Sequence, residues 1–217
     1  MKMKQLTAGM IALVMSMSLP MTTYAADWYL EDGSITVDAG DSGQTVTQGS
    51  KPAVPDEAPV ITQRDSSAET GNTITINASE ENATANVTIS NVNINTSGAA
   101  VSTGGKGNVN IELDGTNTLK SGDWHAGLEK NNDGNLTITD KNENGKLSAT
   151  GGYEGAGIGG GVYAGGNDII ITGGQVTAAG GDYGAGIGGG YLGDSNNITI
   201  TGGEVTAIGG TNGAGIG

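Results

Sequence analysis

The sequence predicts an all-β protein: a right-handed parallel β-helix with three short strands in each coil of about 29 residues. Three observations carry this. First, Gly155-Ala156-Gly157-Ile158-Gly159-Gly160-Gly161 recurs at 184–190 and begins again at Gly213, an offset of 29 each time. Residues 155–183 and 184–212 are identical at 18 of 29 positions without a gap, and so regular a period marks a solenoid. Second, β-branched residues alternate with others: Ile169 and Ile171 flank Ile170, Val176 and Ala178 flank Thr177, and the same holds around Thr199 and Thr206. A period of two means strands with one buried face. Third, Gly-Gly pairs at 173–174, 180–181 and 202–203 separate these runs, where the chain must turn. No stretch shows the 3.6-residue period of a helix, which excludes alternating strand–helix units.

The elements follow in order. Residues 1–25 start with Lys2 and Lys4, continue through an apolar stretch from Leu6 to Leu19, and end Thr23-Tyr24-Ala25. That is the pattern of a secretory signal peptide, with cleavage expected after Ala25. The alternative is a retained anchor, for which the stretch is short and rich in Ser and Gly. Residues 26–70 hold two strand-like runs, Ser34–Asp38 and Gln44–Gln48. Three of the four prolines follow within 51–59, read as an extended linker. This region is expected to cap the open edge of the solenoid. Residues 71–217 are the repeats, about five turns. His125-Ala126-Gly127-Leu128 stands in the place of GAGI, and Leu136–Thr139 in the place of Ile169–Thr172. The predicted ladders place Ile169 on Ile198, Ile171 on Ile200, Val176 on Val205 and Ile158 on Ile187. The chain stops inside the third GAGIG, as expected of a fragment of a longer protein.

Composition sets further bounds. The 217 residues include 41 Gly, no Cys and no Phe, with 23 acidic against 9 basic side chains. Without Cys there is neither a disulfide framework nor a thiolate metal site. An exported chain without disulfides suits a bacterial surface better than a eukaryotic secretory route. A net charge of −14 removes the electrostatic term that nucleic-acid binding depends on. Loss of Lys2 and Lys4 with the leader leaves 7 basic residues against 23 acidic, a net charge of −16. No further apolar segment of spanning length follows.

The chemistry of the repeat is sparse. Polysaccharide hydrolysis needs a working pair of carboxylates, and the repeat offers single acids: Asp168, Asp182, Asp194 and Glu204. The only Arg, Arg64, lies in the linker region, no Lys follows Lys146, and no acid is expected beside His125, the sole His. A hydrolase or lyase is therefore a minor reading, and the expectation is a non-enzyme. GAGIGGG is followed by neither a helix nor a Lys-Ser/Thr, so it is not read as a phosphate loop. No cofactor is expected, with Ca²⁺ on Asp168 and Asp194 as the one candidate metal. Asn108, Asn135, Asp168 and Asn197 are read first as a side-chain ladder at a corner.

One constellation points to a ligand. Asp123-Trp124, Tyr153-Glu154 and Asp182-Tyr183 each put an acid beside an aromatic just before an xAG[IL] segment. Stacked coils would bring the pairs into a stripe, with Trp124, Tyr153 and Tyr183 packing on sugar rings and Asp123, Glu154 and Asp182 holding hydroxyls or bridging Ca²⁺. The other reading is a covered, soluble corner. Tyr163 and Tyr191 mark a second, less regular stripe.

The run from Gly105 to Leu119, the HAGL at 125–128 and the GAGIGGG/ITGGxVTA repeats resemble the Gly-rich repeat surface proteins of gut Firmicutes. More distantly, the chain is similar to β-helical carbohydrate-binding proteins. The resemblance spans roughly residues 27–217. It implies an exported, cell-surface protein, structural or adhesin-like, with binding of extracellular polysaccharide or host glycan as the alternative. It carries no catalytic residue onto this sequence.

Overall fold

The computed structural model describes residues 26–217; the expected leader, 1–25, lies outside them. The chain winds as a parallel β-solenoid of about six turns, with close to 29 residues per turn. Three sheets run its length. The first joins Asp27–Tyr29, Val60–Thr62, Thr84–Ser90, Asn108–Asp114, Leu136–Thr139, Ile169–Ile171 and Ile198–Ile200. The second joins Asn93–Asn95, Thr116–Lys120, Lys146–Thr150, Gln175–Ala179 and Glu204–Ile208. The third carries Ile35–Gly40, Ile74–Ala78, Val101–Gly105, Leu128–Glu129, Ile158–Gly159 and Ile187–Gly188.

The four predicted ladders form as read, Ile169 on Ile198, Ile171 on Ile200, Val176 on Val205 and Ile158 on Ile187. Alternation explains why. Ile169, Ile171, Val176, Ala178 and Ile187 are fully buried, while the residues between them in the strands Ile169–Ile171 and Gln175–Ala179 face outward. Each inward side chain meets its like one coil above and below, so aliphatic residues fill the core without any Phe. In the last coil the same ladder positions are open: Ile200 is 39% and Ile216, which pairs with Ile187, is 50% exposed.

Glycine serves the spacing of the coils as well as their turns. A Cβ on Gly181 would lie 1.8 Å from the carbonyl oxygen of Gly152, and one on Gly210 would lie 1.8 Å from that of Gly181. Gly155, Gly184 and Gly213 form a second such column, with equivalent distances of 1.9, 1.9 and 2.0 Å. At these corners backbone packs on backbone, and no side chain fits.

The N-terminal region departs from expectation. It is the first coil itself, because Ile35–Gly40 pairs in parallel with Ile74–Ala78, and Asp27–Tyr29 with Val60–Thr62. Residues 51–59 are not an extended linker. Val54–Pro55 pairs antiparallel with Thr45 and Val46, which themselves turn back along Ile35–Gly40. Gln44 completes the cap: its side-chain amide donates to the carbonyl of Asn86 (3.0 Å) and accepts from the Asn86 N–H (2.8 Å). That side chain satisfies the edge strand as a neighbouring backbone would. Arg64 grips Asp32 through its two terminal guanidinium nitrogens (3.0 and 2.9 Å) and lies over the ring of Tyr29.

Candidate functional site

The acid–aromatic pairs do meet at one corner of successive coils. Lys120 pairs with Thr150 and Leu128 with Ile158, an offset of 30, so Asp123 sits in register with Tyr153 and Trp124 with Glu154. The next coil steps by 29, which places Tyr153 with Asp182 and Glu154 with Tyr183. Acid and aromatic therefore alternate in each column: Asp123–Tyr153–Asp182, and Trp124–Glu154–Tyr183. The middle pair is written in the reverse order, so the rings stagger and do not stack as a single file.

The spacing is nevertheless close to one coil. The rings of Tyr153 and Tyr183 are 5.4 Å apart, but edge to face at 79°. Tyr183 also meets Tyr191 at 5.1 Å, and Tyr191 meets Tyr163 at 6.1 Å. The two stripes read from the sequence are thus one cluster of four tyrosines. The backbone brings them together: the Val162 N–H donates to the carbonyl of Trp124, and the Tyr191 N–H to that of Glu154, each at 2.8 Å. The loop after each GAGIGGG is tied to the preceding corner, and that carries Tyr163 and Tyr191 toward Tyr183. Trp124 is 57% exposed and, among the described residues, packs against no other ring. Hydrogen bonding to the Tyr183 phenol, reinforced by the nearby carboxylates of Asp182 and Glu154, holds the Tyr153 phenol above its ordinary pKa. Asp123 Oδ1 accepts from the Tyr153 N–H at 3.4 Å.

The expectation that no acid neighbours His125 fails. Glu129 Oε2 lies 2.8 Å from His125 Nδ1 and accepts from the Ala126 N–H at 3.1 Å, while Oε1 accepts from Asn131 Nδ2 at 3.0 Å. Glu129 occupies the column filled by Gly159 and Gly188 in the next coils. The signal was present in the sequence as a side chain at a glycine position four residues after His125. Beside it, Lys130 is buried, and its Nζ donates to the carbonyl of Asn132 at 2.6 Å. Burial pushes this amine below its ordinary pKa, partly opposed by Asp168 and Asp133.

The proposed calcium acids are engaged differently. Asp168 and Asn197 share a column, and Asp168 Oδ1 accepts from Asn197 Nδ2 at 2.9 Å. Asn108 Oδ1 accepts from the Asn135 N–H at 2.9 Å in the same column, which gives the corner ladder. Asp194 is exposed and stands three residues away along the coil. Among the described residues no group of three or more His, Asp or Glu side chains comes together as a metal cage. A groove of about 440 Å³ on the outer face of the first sheet is lined by Asn86, Asn110, Thr137 and Glu112. Glu112 there is occupied by the backbone N–H of Lys141 (2.6 Å) and the hydroxyl of Thr139.

Fold and site together define a parallel β-solenoid with an aromatic–acidic corner. No protein-family model matches the chain, and no curated protein or solved structure matches it. Among the described residues no helix is long and apolar enough to cross a membrane.

Proposed function

We propose that this chain is a non-enzymatic module of an exported bacterial cell-surface protein, structural and adhesin-like, similar to the Gly-rich repeat surface proteins. The observation that supports it most is the distribution of exposed apolar groups. Val54, Ile200, Ile208 and Ile216 lie in the first and last coils, whereas Trp124, Tyr153 and Tyr163 gather on one corner between them. Concentrated exposed aromatics on a rigid frame favour contact with a partner over catalysis. The acids nearest the groove and the His are tied into hydrogen bonds of the coils themselves.

The same corner favours a second reading, binding of extracellular polysaccharide. Exposed ring surface flanked by Asp123, Glu154 and Asp182 suits sugar rings and hydroxyls. The acids would repel an acidic polymer unless Ca²⁺ bridges them. The test is pull-down of residues 26–217 with neutral and acidic polysaccharides, with and without chelator. Replacing Trp124, Tyr153 and Tyr183 together by Ala should abolish binding to neutral polymers, and binding to acidic ones should need Ca²⁺. Equal binding by the triple variant would remove the glycan reading and leave a structural corner.

A further inference from the structure

Asp56 is 2% exposed, yet among the described residues no Lys, Arg or His side chain lies within ion-pair distance of it. Its carboxylate is held by three N–H groups instead. Trp28 Nε1 donates to Oδ2 at 2.8 Å, the Ala58 N–H to Oδ1 at 3.1 Å, and the backbone nitrogen of Ala26 to Oδ2 at 3.2 Å. A buried carboxylate with donors but no counter-charge is left incompletely compensated. Ala26 is also the residue that cleavage after Ala25 would make the first of the mature chain.

We infer that Asp56 is the receptor for the α-ammonium of Ala26 created by removal of the leader, so that processing supplies the counter-charge this carboxylate lacks and fastens the N-terminal cap. The inference rests on the reading of residues 1–25 as a leader cleaved after Ala25. The geometry needs no rearrangement. Ala26 is already fixed, because its carbonyl accepts from the Val60 N–H at 3.0 Å and the next residues pair with Val60–Thr62. Cleavage changes only the nitrogen, from one amide hydrogen to a charged group with three. One hydrogen keeps the bond to Oδ2 and the others face solvent, since Ala26 is exposed. The charged residues adjoining the pair in sequence are Asp27 and Glu57, both acidic, and Lys51 is the one base on the 51–59 segment that carries Asp56. Before cleavage the cap is held by neutral donors alone; afterwards one of them is a cation, and its bond to the carboxylate is stronger.

The experiment compares four proteins: residues 26–217 with a free α-amine, the same chain N-acetylated, and both forms carrying Asp56→Asn. Acetylation keeps an N–H at Ala26 and removes its charge. The readouts are hydrogen exchange at the Val60 amide and the thermal midpoint. Acetylation should lower Val60 protection at least about tenfold with Asp56 present, and should have little effect in the Asp56→Asn background. A paired amine has its pKa raised above the ordinary value of about 8. The difference between free and acetylated chains should therefore be complete below that value and vanish as pH rises through the raised one. Equal effects of acetylation in both backgrounds, or none in either, would overturn the pairing. N-terminal sequencing of the exported protein tests maturation separately from pairing. A start at Ala26 supports maturation, and any other start refutes it, whatever the exchange data show for the purified chain.

Discussion

Replacing Gly181 with Ala tests whether backbone contact between coils requires glycine. The added Cβ would sit 1.8 Å from the Gly152 carbonyl oxygen. Gly181 has an ordinary φ, so the penalty is steric and owes nothing to backbone strain. Reaching a tolerable contact means parting the coils by more than about 1 Å, roughly a quarter of the ~4.8 Å strand spacing. Three bonds hold these coils together at that corner: the Gly151 N–H to the Ala179 carbonyl and the Gly181 N–H to the Gly155 carbonyl, both 2.9 Å, and the Tyr183 N–H to the Tyr153 carbonyl, 3.3 Å. Stretching each past hydrogen-bonding range, at about 1 kcal/mol apiece, gives a loss of about 3 kcal/mol before any core packing is disturbed. Gly98→Ala is the control, because a Cβ there meets nothing within 4 Å. It should be neutral or stabilise by up to about 1 kcal/mol through the unfolded chain. The assay is urea unfolding of residues 26–217 followed by circular dichroism, with hydrogen exchange to locate the damage. Solenoids unfold regionally, so loss of protection should centre on residues 150–184. Indistinguishable midpoints for Gly181→Ala and Gly98→Ala would refute the packing argument.

Two further outcomes follow from the core and the acids. Ile171→Ala should cost about 3 kcal/mol, since Ile171 is fully buried between Ile138 and Ile200. Ile200→Ala should cost roughly half as much because Ile200 is 39% exposed, and Thr199→Ala, facing outward, within about 0.5 kcal/mol; equal losses at Ile171 and Thr199 in the same urea titration would reverse the inward and outward assignment. The Asp114 carboxyl is held below its ordinary pKa by hydrogen bonds from Ser90 (2.7 Å) and Asn144 (2.8 Å). Its contribution is present above the unfolded value of about 4 and lost as pH falls through the lower folded value, so Asp114→Asn should flatten the acid limb of a stability–pH profile; an unchanged limb would show that other carboxylates dominate.

The fold was legible because a solenoid repeats its own contacts. Each coil packs on a near copy of itself, so a 29-residue period together with alternation specifies which Ile lies on which. The alternating strand read at Ser34–Asp38 was legible for the same reason, but its place in the first coil was not, since the pairing of Ile35 with Ile74 crosses a hairpin with no counterpart in the repeat. Glycine content announced turns. That the same glycines must also be bare for coils to approach is a distance between segments 29 residues apart, which no local pattern contains. The corner follows the same division. The sequence brought Asp123-Trp124, Tyr153-Glu154 and Asp182-Tyr183 to one place, because position along a coil is periodic. Which rings touch was settled by a step of 30 residues followed by one of 29, and by loop hydrogen bonds that swing Tyr163 and Tyr191 onto Tyr183. Side chains that leave the repeat, His125 with Glu129 and Asp56 with Ala26, found their partners only in the folded chain, because periodicity predicts contacts between equivalent positions and is silent about the exceptions.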